Sequence, residues 1–327
     1  MSIGARRLQE QLDQAISRAP GPAGRRIAVL LPCHNEAATI ADVVKGFRAE
    51  LPDADIYVFD NLSTDDTAAI AEAAGAIVRR EPDKGKGNVV RRMFADIDAN
   101  IYVMADGDRT YDPRNVHALI DCLTENNLDM VIGRRAQDQT AYRAGHLLGN
   151  RLFNLTVEWL FGRGMSDMLS GYRVFSRRFV KSFPALSSGF EVETELTIHA
   201  LDLRMPFAEI PVSYYDRPAG SSSKLRTLAD GIAILKTIVL LLKDVRPFLF
   251  FGIIAGMLAS VALALSIPIF LTFLATGLVP QVPTAILCTG LMILSFLSLT
   301  CGAILDSVSR FRRETKRLIY LLSDGRG

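Results

Sequence analysis

From residue 27 onward, short apolar runs alternate with stretches whose apolar positions recur at helical spacing. The runs at 27–31, 55–59, 76–78, 101–105 and 129–132 have the length of strands, and helices are predicted over 36–50, 65–74, 87–98 and 115–126. Strands separated by helices of this length imply βαβ units and a mostly parallel sheet, an α/β fold. Between 134 and 224 the pattern loosens into helices and loops with many polar residues and glycines, and helical spacing returns over 230–245 with Lys236 and Lys243. That segment suits an interfacial amphipathic helix.

The pattern then changes character, because no Asp, Glu, Lys, Arg or His occurs from Pro247 to Leu305. A helix needs about 20 apolar residues to cross a bilayer, so 248–275 and 284–305 are expected to form a transmembrane hairpin around the Pro-containing break at 276–283. The implied division is an N-terminal helix and linker at 1–24, an α/β domain at 25–228, an interfacial helix at 229–246, the hairpin at 247–306 and a basic tail at 307–327.

Charge orients this arrangement. Lys236, Lys243 and Arg246 precede the hairpin, and Arg310, Arg312, Arg313, Lys316 and Arg317 follow it, whereas the connecting loop is uncharged. Both ends and the α/β domain are therefore expected on the cytoplasmic side of the inner membrane. Arg6, Arg7, Glu10 and Asp13 interrupt the first segment, so no signal peptide is expected there. Cys33, Cys122, Cys288 and Cys301 show no zinc spacing, and the net charge of +2 carries no information about partners.

Candidate chemistry collects at the carboxyl ends of the predicted strands, where open α/β sheets place ligands. Asp106-Gly107-Asp108 follows the strand at 101–105. Two carboxylates one residue apart can share a hard divalent cation that keeps other positions for water and phosphate oxygens, although a polar turn uses the same residues. Asp60 closes another apolar strand, and a carboxylate there suits a base imide or a ribose; Ser63 and Asp65 are also explained by capping the next helix. In Asp83-Lys84-Gly85-Lys86-Gly87-Asn88 the glycines allow close backbone approach and lysine supplies charge near phosphate, or the segment is a basic surface turn. No GxGxxG follows the first strand, against a dinucleotide site.

Together these segments resemble the family-2 glycosyltransferases with a GT-A fold (Rossmann-like, mostly parallel sheet). The resemblance covers about 27–224 and rests on Pro32-Cys33-His34-Asn35-Glu36, Asp60 with Ser63-Thr64-Asp65-Asp66-Thr67, Gly85-Lys86-Gly87 and Asp106-Gly107-Asp108. Gly133-Arg134-Arg135, the segment from Ser166 to Arg173, the segment from Gly189 to Glu195 and that from Arg217 to Lys224 make it similar to the polyprenyl-phosphate, or dolichol-phosphate type, sugar transferases.

The resemblance implies inverting transfer of one sugar from a UDP- or GDP-sugar to a membrane polyprenyl phosphate of the undecaprenyl type, aided by Mg2+ or Mn2+. It places Pro32, Asn35, Glu36, Asp60, Asn61, Ser63, Lys86 and Asp106 around the nucleotide, and Asp106 and Asp108 on the metal. Asp108, Asp167, Arg135 and Arg217 are the expected catalytic residues; Arg135, Arg143, Arg217, Ser223 and Lys224 are expected to hold the acceptor phosphate. Partners are then the nucleotide sugar, the lipid phosphate and the bilayer, with no nucleic acid, and a homo-oligomer through the spans is compatible. Two positions depart from the family pattern: Thr110 stands where many relatives carry Gln, and Arg134 where a small residue is usual.

Other readings are weaker. A processive synthase would carry a Gln-x-x-Arg-Trp segment and more spans, and a sugar nucleotidyltransferase a Gly-rich basic loop after the first strand. A catalytically silent scaffold that binds nucleotide sugars would not need Asp106 and Asp108. His34, His117, His146 and His199 make no metal spacing, Trp159 suits one side of an amphipathic helix, and Glu191, Glu193 and Glu195 suit a helix start.

Overall fold

A computed structural model describes residues 26–135, 157–159, 161–162, 165–187, 189, 191–215, 239–240 and 242–323. In chain order the elements are β1 (Ile27–Cys33), α1 (Ile40–Glu50), β2 (Asp55–Asp60), α2 (Thr67–Ala73), β3 (Ile77–Arg80), α3 (Lys86–Asp96), β4 (Ile101–Met104) and α4 (Val116–Glu125). They continue with β5 (Met130–Arg135), β6 (Arg173–Ser176), α5 (Arg177–Ser182), α6 (Val192–Asp202), β7 (Phe207–Val212), α7 (Pro247–Thr276) and α8 (Val282–Leu322).

The strands form one seven-stranded sheet in the order β3-β2-β1-β4-β6-β5-β7. Pairing is parallel except at β6, which runs antiparallel to both β4 and β5. The side-chain period of two sends Ala28 and Leu30 into one core, with Val89 and Met93 of α3, and Val29 and Leu31 into the other, with Val44 and Phe47 of α1. A strand buried on both faces has no position for a polar side chain, which is why β1 reads as an unbroken apolar run. Because β2 and β3 lie on one side of β1 and β4 on the other, a crevice opens beyond the carboxyl ends of β1 and β4.

The loosened stretch after residue 134 contributes two strands that the apolar pattern does not announce. β6 is four residues long with Arg173 and Ser176 at its ends, and β7 is half-buried and carries Glu209 and Pro211. Neither makes a continuous apolar run or a clean alternation.

Helix α7 has 30 residues and α8 has 41, and each is long and apolar enough to cross a membrane. The two pack through small residues: Cys288, Ser295 and Gly302 recur at heptad spacing on α8, and Ala255 and Ala262 do so on α7. Ser295 Oγ donates to the Ala255 carbonyl at 2.8 Å, and a Cβ at Gly302 would come within 2.9 Å of Phe251 Cβ. Most other side chains of the pair face outward and are apolar, among them Leu263, Ile267, Phe270, Ile286 and Phe296. α7 ends where Gly277 takes a left-handed conformation at φ 69°.

The residues after 306 continue α8 without interruption. This extension returns to the α/β domain, where Arg313 meets Asp202 at 2.8 Å and the Tyr320 hydroxyl donates to Asp129 at 2.8 Å.

Candidate active site

The loops after β1 and β2 are knitted together. Asn35, held at φ 57°, donates its backbone N–H to Ser63 Oγ at 2.9 Å and accepts from the Thr64 N–H at 2.7 Å. The Glu36 N–H donates to Thr67 Oγ1 at 2.8 Å, and Asp65 accepts from the Ala37 and Thr67 backbones. Burial opposes charge on Asp65, but donors from Thr67 and Ala37 outweigh it and hold its carboxyl below the usual range. Asn35, Glu36 and Ser63 thus shape the rim of the crevice, and Pro32 lies in β1 beneath it.

At the end of β2, Asp60 and Asn61 do different work. The Asn61 amide donates to the carbonyls of Glu81 and Asp83 at 3.0 and 2.8 Å and accepts from the Gly85 N–H at 2.7 Å. It therefore sets the segment that leads into α3. Asp60 is 6 % exposed, and its Oδ1 has no hydrogen-bond partner among the described residues. A buried unpaired acceptor costs about 1–3 kcal/mol, so this oxygen is suited to receive a donor from a ligand.

Beyond β4 the backbone is packed tightly enough to require glycine at two points. A Cβ at Gly107 would lie 2.6 Å from Cys33 Sγ, and one at Gly171 would collide with the Asp106 carboxylate. Asp106 Oδ1 accepts from Lys86 Nζ at 2.5 Å, and the same ammonium lies 2.5 Å from Glu193 Oε1. Burial disfavours the Lys86 charge, but the carboxylates of Asp106 and Glu193 overcome it and raise the ammonium above its ordinary value. Asp108 is buried, and its Oδ1 accepts both the Thr110 hydroxyl at 2.6 Å and the Thr110 N–H at 3.1 Å. Thr110, the position that departs from the family pattern, thus orients Asp108.

Two hard carboxylates at one strand end match the oxygen preference of Mg2+ or Mn2+. No group of three or more His, Cys, Asp or Glu among the described residues forms a metal cage. A cation at Asp106 and Asp108 would thus complete its shell with ligand oxygens and water.

A second ion pair forms at the end of β5. Arg135 donates through Nε and a terminal nitrogen to the two oxygens of Asp167 at 2.8 and 2.7 Å, and its guanidinium lies 5.5 Å from the Tyr214 ring centre. Arg134 points to solvent. The turn bearing Asp167 is fixed from below: Glu209 accepts from the backbones of Ser166 and Asp167, each at 3.0 Å. Arg173, fully buried, donates to the carbonyls of Ser170 and Met168 and to Thr197 Oγ1. Burial lowers the Arg173 guanidinium to about 10. The Gly171 N–H donates to the Tyr111 hydroxyl at 3.0 Å, which places Gly171 against Asp106.

A family model described as glycosyl transferase family 2 matches residues 28–183. The glycosyltransferase AglJ of Haloferax volcanii is 32% identical over 91% of this chain and 98% of its own length. The chain belongs to glycosyltransferase family 2. The polyprenol monophosphomannose synthase of Mycolicibacterium smegmatis is 24% identical over 61% of this chain and 80% of that relative. Among solved structures, the glucosyl-3-phosphoglycerate synthase of Mycobacterium tuberculosis with Mn2+, UDP-glucose and phosphoglyceric acid has a TM-score of 0.55 at 28% identity. That match covers 67% of this chain and 79% of the synthase. The sheet is thus the GT-A sheet of a family-2 transferase.

In this transferase Asp106, Lys86 and Glu193 come together, and so do Arg135 and Asp167. Arg143, Arg217, Ser223 and Lys224 lie outside the described residues. Nothing in the local residue periodicity singles out Arg173, Tyr111 or Glu209, and Glu193 by its position suits a helix start. The available signal was charge inside apolar surroundings, as at Arg173 within Tyr172-Arg173-Val174-Phe175.

Proposed function

We propose that this glycosyltransferase moves one sugar from a UDP- or GDP-sugar to a membrane polyprenyl phosphate of the undecaprenyl type, with inversion, at the cytoplasmic face of the inner membrane. The observation that carries the reading is α8, which leaves an apolar pair and ends hydrogen-bonded to the base of the catalytic sheet through Tyr320 and Asp129. A site fixed to such a hairpin is suited to an acceptor whose tail stays in the bilayer. The likeness to the glycosyltransferase AglJ supports sugar transfer, and that to a polyprenol monophosphomannose synthase supports a polyprenyl acceptor.

The chemistry asks little proton transfer of the protein. An acceptor phosphate monoester has a second pKa of about 6 and is largely ionised near neutral pH. Its oxygen forms the new bond to the anomeric carbon as the bond from that carbon to the diphosphate breaks, and the electron pair leaves on the diphosphate. Asp60 accepts a donor from the base, and the loops built by Asn35, Glu36, Ser63 and Asn61 hold the nucleotide. Asp106 and Asp108 would hold a divalent cation, whose contribution when bound is to offset charge on the leaving diphosphate. Asp167 holds Arg135 in one orientation toward the acceptor phosphate, with Arg143, Arg217, Ser223 and Lys224 as its proposed companions. Positioning of two anions is the main demand.

The test is full-length protein with undecaprenyl phosphate, a divalent cation and a panel of UDP- and GDP-sugars. Lipid-linked product with one donor is expected; no product with any donor, together with no nucleotide binding, overturns the reading.

A further inference from the structure

Lys86 engages one oxygen of Asp106. Its ammonium lies 2.5 Å from Asp106 Oδ1, on one of the two carboxylates that would hold a cation, and 2.5 Å from Glu193 Oε1. The two contacts come from distant parts of the chain: Lys86 opens α3, Asp106 follows β4 and Glu193 lies in the first turn of α6. Glu193 is 5 % exposed, and its second oxygen has no partner among the described residues. A buried carboxylate oxygen without a partner carries a desolvation cost that a further donor would relieve.

We propose that Lys86 is a displaceable counter-ion: it neutralises Asp106 while the cation is absent and shifts onto Glu193 when Asp106 takes the cation. Glu193 is then a positioning residue, acting through Lys86 on the readiness of Asp106. One ammonium shared by two carboxylates leaves a surplus negative charge, and a divalent cation and an ammonium repel each other at a common oxygen. The shift resolves both conditions because Glu193 Oε2 supplies the acceptor that Lys86 loses. The inference rests on the reading of Asp106 and Asp108 as the cation pair.

The test is Mn2+ binding followed by electron paramagnetic resonance on the full-length protein, with and without UDP, and no turnover. Without UDP, Lys86→Met is expected to bind Mn2+ about tenfold more tightly than the wild type, because the competing ammonium is gone. Glu193→Gln is expected to bind several-fold more weakly, because Lys86 is left with Asp106 alone. The exposed neighbour Lys84→Met, which removes the same charge without the contact, stays within about twofold of wild type. Thermal melts of each variant confirm folding, and Lys86→Gln replaces Lys86→Met if that protein does not fold.

Equal Mn2+ affinity in Lys86→Met and wild type, with binding abolished in Asp108→Asn, overturns the counter-ion and leaves the cation pair standing. A gain in Lys84→Met equal to that in Lys86→Met also overturns it. No Mn2+ binding by wild type even with UDP removes the cation pair and the counter-ion together.

Discussion

The Tyr320 hydroxyl donates a 2.8 Å hydrogen bond to Asp129 Oδ2, joining the last turns of α8 to the residue before β5. Asp129 is fully buried; its other oxygen accepts from Ser176 Oγ at 2.7 Å and from Arg178, whose guanidinium sits 5.2 Å from the Tyr320 ring centre. Tyr320→Phe keeps the ring and leaves that carboxylate oxygen short of a donor, a loss of about 1–3 kcal/mol. The expected outcome is a thermal midpoint lower by about 2–6 °C at a fixed scan rate, with nucleotide binding retained. An unchanged midpoint contradicts a structural contact between α8 and the sheet.

Gly171 lies where a side chain would strike the Asp106 carboxylate. Gly171→Ala is expected to move Asp106 and lower kcat/KM by about 100-fold or more while the protein still melts cooperatively. Steady-state kinetics beside a melting curve check it.

The path from sequence to site was uneven, for physical reasons. Asp106-Gly107-Asp108 and Asp60 were legible because a carboxylate at the end of an apolar strand contradicts its surroundings. Lys86 and Glu193 were not, because their contact spans 107 positions and depends on how α6 crosses α3, which local periodicity does not encode. β6 was hidden by Arg173, whose burial is possible only because Ser170, Met168 and Thr197 satisfy it. The end of α8 read as a tail because charges follow residue 305, yet those charges include the partners of the α/β domain.

Thr110 gives its hydroxyl to Asp108 Oδ1 at 2.6 Å. Thr110→Val keeps the shape and removes the donor, worth about 1 kcal/mol. The divalent-cation concentration for half-maximal rate is expected to rise about fivefold, with the rate at saturating cation little changed. A cation titration of the initial rate measures it.

His199 is buried against Ser182, and burial, with repulsion from Lys316 as the lesser cause, lowers its pKa from 6.5 to about 3. The folded value lies below the unfolded one, so the neutral ring contributes stability above pH 6.5 that is lost as pH falls toward 3. The loss is about 1.4 kcal/mol per pH unit across that window. His199→Gln, which has no such proton to gain, is expected to show a flatter fall of the melting midpoint between pH 6.5 and 4; parallel curves contradict the assignment.

An acceptor competition decides between a lipid phosphate and a soluble phosphate as the acceptor. The full-length protein in lipid nanodiscs receives a divalent cation, its preferred nucleotide sugar, undecaprenyl phosphate and phosphoglyceric acid in one reaction, and the products are separated by solvent extraction. Sugar is expected on the lipid phosphate, with inverted anomeric configuration, and none on phosphoglyceric acid. Sugar on phosphoglyceric acid and none on the lipid contradicts the proposed lipid acceptor.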